Sequence, residues 1–206
     1  MSTVTTGETL QAHRRRIKDV YFPNGGVFSI TNEMQNGGLV EVATVGREGM
    51  LGIGVFFGDL AGIGRTFRQV ANGRLPSMAA SRFVKETAGA GPFRDVVRVY
   101  AQANLLQIMQ CTACNALHSV TERCCRWLLQ THDRVDDDTF SLKQEFLAVM
   151  LGVRRPTVTV VLQTLQREGL IASRYGRIRI LERKRLEAAS CECYRVIRAH
   201  FARLGL

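Results

Sequence analysis

Apolar positions follow two different rhythms along the chain. Up to about Pro76, short apolar or alternating runs such as VFSI (27–30) and LVEVATV (39–45) are punctuated by glycine, with NGG at 24–26 and again at 36–38. A period of two puts one side of an extended segment against a core, and Asn-Gly or Gly-Gly pairs supply the positive φ of tight hairpin turns. The pattern predicts a small antiparallel barrel or roll. Beyond the break at Gly89–Pro92 the period lengthens: Val96, Val99, Tyr100, Ala103, Leu106, Met109 or Gln110, Ala113 and Leu117 recur at helical spacing. They predict one helix of about 25 residues with a continuous apolar stripe. A small roll cannot cover so long a stripe, so the reading pairs two copies of the chain along it.

The helical rhythm continues through SVTERCCRWLLQTHDRV (119–135), with Trp127, Leu128 and Leu129 as core, and a DDD loop at 136–138. In SLKQEFLAVMLG (141–152), Leu142, Phe146, Leu147 and Met150 or Leu151 share a face, Ser141 stands as the expected cap, and Gly152 ends the helix. After the turn GVRR, Pro156 suits the first turn of another helix, whose amides need no internal partner there. That helix runs to about Glu168, turns Val158, Val161, Leu162 and Leu165 inward, and is stopped by Gly169. LIAS, a turn at RYG, and RIRIL then form a hairpin. Two short helices, a tight turn and a hairpin describe a winged helix, whose second helix suits the DNA major groove.

Charge strengthens that picture. The chain carries a formal +10, yet residues 1–60 hold five Lys/Arg against six Asp/Glu, whereas 139–206 hold thirteen against five. The excess sits on the predicted winged helix and points to a polyanionic partner. Arg154 and Arg155 are the nearest donors if the second helix enters the groove, Thr157 suits a phosphate, and Thr159 and Val160 suit thymine methyls or a flank. Arg174, Arg177 and Arg179 on the hairpin suit phosphates.

These residues resemble the CRP/FNR family of dimeric transcription regulators: LKQEFLAVMLGVRRPTVTVVLQTLQREGLI its helix-turn-helix, SRYGRIRIL its wing, and GGLVEVATVGREGMLGI part of its effector-binding roll. The resemblance implies an α+β chain: residues 1–90 an antiparallel β-roll of the cyclic-nucleotide-binding type, 91–118 a long dimerisation helix, and 119–206 a winged helix-turn-helix with a C-terminal helix. It implies that Arg155 reads a guanine and Thr157 holds a phosphate. Cyclic-AMP-responsive members carry a glutamate where this chain has Pro156 and a further base-reading arginine where it has Val160, so their DNA consensus does not transfer. Implied partners are double-stranded DNA, a second copy of the chain, RNA polymerase, and a small-molecule or redox effector of unspecified identity. A cytoplasmic protein without a membrane partner is expected, since no apolar run approaches a span.

The sensor is less like the family. Arg65 and Thr66 stand where cyclic-nucleotide binders carry a phosphate-binding pair, but the ribose-binding glutamate is replaced by Leu51 or Ile53. Ribose hydroxyls left unpaired in a buried pocket would cost about 1–3 kcal/mol, so no cyclic nucleotide and no cofactor is expected. The segment before DVYFPNGGVFS is about 25 residues shorter than in family rolls, so the first strand or two is expected to be replaced or absent unless the start lies further upstream. The alternative is a constitutive DNA binder with a degenerate sensor, or a non-enzymatic interaction module.

All six cysteines lie at or beyond position 111. Cys111, Cys114 and His118 share a helix face at metal-ligand spacing, but three ligands on one helix rarely close a tetrahedron without another element. Packing as small apolar groups accounts for the thiols more simply. Cys191 and Cys193, one residue apart on a final helix, are expected to point in different directions. Four scattered histidines and the absence of a nucleophile–base constellation predict no catalysis.

Overall fold

The computed structural model describes residues 6–62, 64–70 and 73–205. Its N-terminal part is an antiparallel four-stranded sheet of β1 (Thr9–Gln11), β3 (Val27–Glu33), β4 (Leu39–Val45) and β5 (Arg65–Val70), in the order β1-β5-β3-β4. The β3–β4 hairpin closes over Asn36-Gly37, where Gly37 takes φ 78°. β2 (Asp19–Tyr21) pairs with β6 (Ser77–Ala79) as a separate ribbon. Thus the short leading segment before Asp19 supplies one strand, β1, to the larger sheet, and β2 begins at Asp19 itself.

Neither face of the larger sheet is free. Phe28 and Val45 join Leu51, Phe83 and Tyr100 in the roll's own core. Val27, Phe67 and Val70 belong instead to the core of the C-terminal half, with Trp127, Leu147 and Leu151. Burial on both faces explains why VFSI reads as a continuous run rather than a clean alternation.

The sequence pattern missed α1 (Ala80–Ala88), a helix that follows β6 directly and buries Phe83. The long helix α2 (Pro92–Leu117) spans 26 residues, about 39 Å at the usual helical rise. Its faces differ from the expected stripe. Tyr100 and Ala103 are buried within the chain, together with polar Asn104 and Gln107, while Val96, Met109, Ala113 and Leu117 are exposed. The polar pair is hydrogen-bonded: Gln107 Nε2 donates to Thr44 Oγ1 at 3.0 Å, and Asn104 Nδ2 to the Tyr100 hydroxyl at 3.3 Å. Gly49 makes the close approach of roll and α2 possible, since a Cβ there would lie 2.4 Å from the Tyr100 ring.

α3 (Val120–His132) starts with a capping box between Ser119 and Glu122 and buries Trp127. It also carries the polar links to the roll. Trp127 Nε1 donates to Glu41 Oε1 at 3.0 Å, and just past the helix Arg134 Nη2 meets Glu48 Oε1 at 2.8 Å. A strand unforeseen after the acidic loop, β7 (Thr139–Ser141), takes Ser141 out of the capping role expected of it; Lys143 precedes α4 (Gln144–Leu151), with no side-chain cap. α5 (Arg155–Arg167), β8 (Ile171–Arg174) and β9 (Arg177–Ile180) follow, and the sheet order is β7-β9-β8. α6 (Arg183–Ala189) and α7 (Cys193–Arg203) close the chain, with α7 lying along α2.

Candidate nucleic-acid interface

The turn between α4 and α5 is set by Gly152, the C-cap of α4 at φ 62° and ψ 36°. A glycine enters that left-handed region without the steric cost of a Cβ. The chain then passes through extended Arg154 into α5, where Pro156 stands in the first turn. Val158, Val161, Leu162 and Leu165 anchor the inner face of α5, and Leu147, Met150 and Leu151 of α4 meet them in one core.

That anchoring leaves a defined outer surface. Arg154, Arg155, Pro156, Thr157 and Val160 are exposed. Val160, at 60% exposure, is an apolar side chain standing free on a helix whose other valines are covered. Arg155 Nη1 lies 3.4 Å from Glu145 Oε1, but both side chains are more than half exposed, so the pair is weak and easily exchanged for a phosphate or base. Thr159 is differently placed: its hydroxyl donates to Gln144 Oε1 at 2.9 Å, tying α5 to the start of α4. The helix N-terminus adds its own attraction for an anion beside these arginines.

The wing continues the basic surface. Ile178 and Ile180 are buried and Arg177 and Arg179 exposed, as strand alternation requires. Arg174 is paired across the ladder with Arg177. Like charges directly opposite repel, and an anion between them relieves the repulsion. The hairpin turns through Tyr175 at φ 50° and Gly176 at φ 71°, both positive as a tight two-residue turn of this hand demands. Tyr175 is 89% exposed at the tip, with the Arg174 guanidinium 4.9 Å from its ring centroid. Sequence reasoning did not single out Tyr175, although an aromatic residue between two arginines at a hairpin tip was the available signal.

The remaining candidate residues are divided by the fold. Thr66 lines a roll cavity of about 290 Å³ with Gln11, Asn32, Asp59 and, from α2, Asn104 and Ile108. Arg65 is not among the lining residues; its Nε donates to Thr9 Oγ1 at 2.9 Å. Among the described residues, the one charged side chain of that lining is the Asp59 carboxylate, which does not favour an anion. Cys111 packs with Ala103, Ile197 and Phe201, and burial pushes its thiol up to about 11. Burial likewise raises Cys124, and raises Cys125 to about 12, so both behave as apolar packing groups. Cys114 and His118 come together with Cys191 and Cys193, which converge rather than diverge because they flank the start of α7 instead of lying within one helix.

Residues 122–189 match the family model described as a Crp-like helix-turn-helix domain. No curated protein sequence matches the chain. Among solved structures, a CRP-family transcriptional regulator from Thermus thermophilus aligns over 92% of this chain and 96% of its own, with 19% identity and a TM-score of 0.75. FixK2 from Bradyrhizobium japonicum aligns over 91% and 95%, with 14% identity and a TM-score of 0.77. A second Thermus thermophilus regulator, of the CRP/FNR family, aligns over 90% and 95%, with 22% identity and a TM-score of 0.67. The chain therefore carries a Crp-like helix-turn-helix domain within the overall fold of the CRP/FNR regulators.

Proposed function

We propose that this protein is a non-catalytic, homodimeric regulator that reads a two-fold symmetric DNA site and acts in the cytoplasm beside RNA polymerase. The observation that carries the reading is the uncovered first turn of α5, with Arg154, Arg155 and Thr157 free of the core, on the same module as the arginine face of the wing. Arg155 pairs bidentately with a guanine, Val160 approaches a thymine methyl, and Thr157, Arg174, Arg177 and Arg179 hold phosphates. The division of labour is a sensory roll over 1–90, a dimer helix over 91–118 and a DNA-binding module over 119–206.

Dimerisation is supported by a row on α2. Gln102, Leu105, Met109, Thr112 and Ala116, spaced three and four residues apart, are all exposed. That spacing is the seam of a two-helix coiled coil, and Leu105 and Met109 at its centre are 58% and 60% exposed in one chain. A signal at the roll or the helix thiols then alters the spacing and tilt of the two recognition helices. A constitutive binder with a degenerate sensor is a second reading, supported by a roll cavity whose charged lining is a carboxylate.

Selection on a randomised duplex pool at one stated salt concentration, followed by competition against bulk DNA, tests the proposal. A palindromic winner with half-sites about one helical turn apart is expected. Equal affinity for the selected duplex and bulk DNA would leave only a basic protein.

A further inference from the structure

Two distant stretches of chain meet at the C-terminal end of α2. Cys114 lies in the last turn of that helix and His118 is its C-cap; Cys191 and Cys193 bracket the start of α7. Their ligand atoms all lie within 4.8 Å of one another. Cys114 Sγ is 3.5 Å from Cys191 Sγ, and Cys193 Sγ is 3.5 Å from His118 Nδ1. A tetrahedral zinc ion with Zn–S bonds of about 2.3 Å sets its sulfurs about 3.8 Å apart. The observed spacings match that size. A polynuclear iron–sulfur cluster would need its thiolates spread further, because each binds a different iron.

The surroundings suit a metal as well as the four donors do. His118 Nε2 lies 3.2 Å from Glu192 Oε2, so Nε2–H donates to the carboxylate and the Nδ1 lone pair is left for the side where the three sulfurs lie. A carboxylate behind a ligating histidine is the usual way of fixing its tautomer and orientation. Gln110 Nε2 approaches Cys193 Sγ at 3.0 Å, a contact suited to a thiolate acceptor. Three thiolates around Zn²⁺ leave one negative charge. Arg126, 3% exposed, is within Coulombic reach of Cys111, Cys114, Glu41 and Cys191, and its hydrogen-bond partners are the Gln130 amide oxygen and the Cys111 thiol. Its Nε has no hydrogen-bond partner among the described residues. An anionic metal centre adds a second counter-charge for this buried guanidinium beside the Glu41 carboxyl.

We propose that Cys114, His118, Cys191 and Cys193 form a structural zinc site that fastens the end of α2 to the α6–α7 junction. Four protein donors close the tetrahedron and leave no position for a substrate water, so the ion holds structure rather than performing chemistry. It joins the long helix to the C-terminal helix packed along it, and Glu192 is a positioning residue.

The test uses the full-length protein, reduced and purified without chelator, with zinc measured by mass spectrometry of the metal and the coordination reported by Co²⁺ replacement. One zinc per chain, tetrahedral Co²⁺ absorption with sulfur charge-transfer bands, and a thermal midpoint that falls with chelator and recovers with zinc are expected. Cys111→Ser should keep the metal, and the double variant Cys114→Ser/Cys193→Ser should lose it. Glu192→Gln, which leaves all four donors in place and so guards against a failure of the double variant to fold, should weaken zinc about 10- to 100-fold. Reduced protein that takes up no zinc, including protein recovered from a Cys114–Cys191 disulfide, would overturn the proposal. So would full retention by the double variant, or an octahedral Co²⁺ spectrum.

Discussion

Glu41 is expected to make the protein less stable as the solution becomes more basic. Its carboxyl sits in the middle of β4, 5% exposed, accepting hydrogen bonds from Ser29 Oγ and from Trp127 Nε1 of α3. Burial pushes its pKa from 4.5 up to about 7, against the opposing pull of those two hydrogen bonds and of the Arg126 and Arg134 guanidiniums. A carboxyl with a raised folded-state pKa favours folding in its protonated form. Its contribution is therefore complete below the unfolded value near 4.5 and is lost as pH rises towards 7. The difference of roughly 2.5 pH units corresponds to about 3 kcal/mol, a large part of the stability of a domain this size. Glu41→Gln keeps an acceptor for Trp127 but cannot ionise. Urea unfolding of both proteins from pH 4.5 to 8.5 isolates the effect, because the other titrating groups cancel in the difference. The variant should lie closest to the parent at pH 4.5 and exceed it increasingly with pH, by up to about 3 kcal/mol at pH 8. A difference that stays constant with pH, or that grows towards acid, would refute the assignment of Glu41 as a buried carboxyl held mainly neutral.

Arg155→Ala should cost about 1–3 kcal/mol on the selected duplex and relax preference at one base position, read by binding to a set of single-base variants. Arg177→Ala should instead weaken all sequences alike and reduce the slope of log affinity against log salt by about one, measured by titration at several salt concentrations. Leu105→Glu with Met109→Glu places like charges at the centre of the proposed seam; sedimentation should show a monomer with unchanged circular dichroism, and a dimer of parental affinity would remove α2 from the interface.

How much of this was legible beforehand follows from the range of the interactions concerned. The winged helix was readable because its determinants are local: Gly152 and Pro156 set the turn and the start of α5, Gly169 stops it, and the alternation of Arg177, Ile178, Arg179 and Ile180 sets the wing. α1 escaped notice because it follows β6 without a break and no side chain caps its start. The faces of α2 were misread for a different reason. Asn104 and Gln107 look like surface residues, yet Tyr100 and Thr44 bond them inside the chain, so the buried face is not the apolar one that periodicity selects. Meanwhile Leu105 and Met109 stand uncovered.

Periodicity, turn chemistry and charge within a few residues were enough for the strand-rich start, the long helix, the helix-turn-helix and hairpin that follow, and the basic bias of that C-terminal module. Which partners distant side chains find depends instead on how the whole chain closes. Glu41 meets Trp127 across 86 positions, and Cys114 meets Cys191 across 77. Such pairings are set by how the roll and the C-terminal helices close around α2 and α3, and no local pattern records that closure. The same closure leaves Cys111, one turn away from Cys114 on the same helix, packed against Ile197 and Phe201 rather than among the donors.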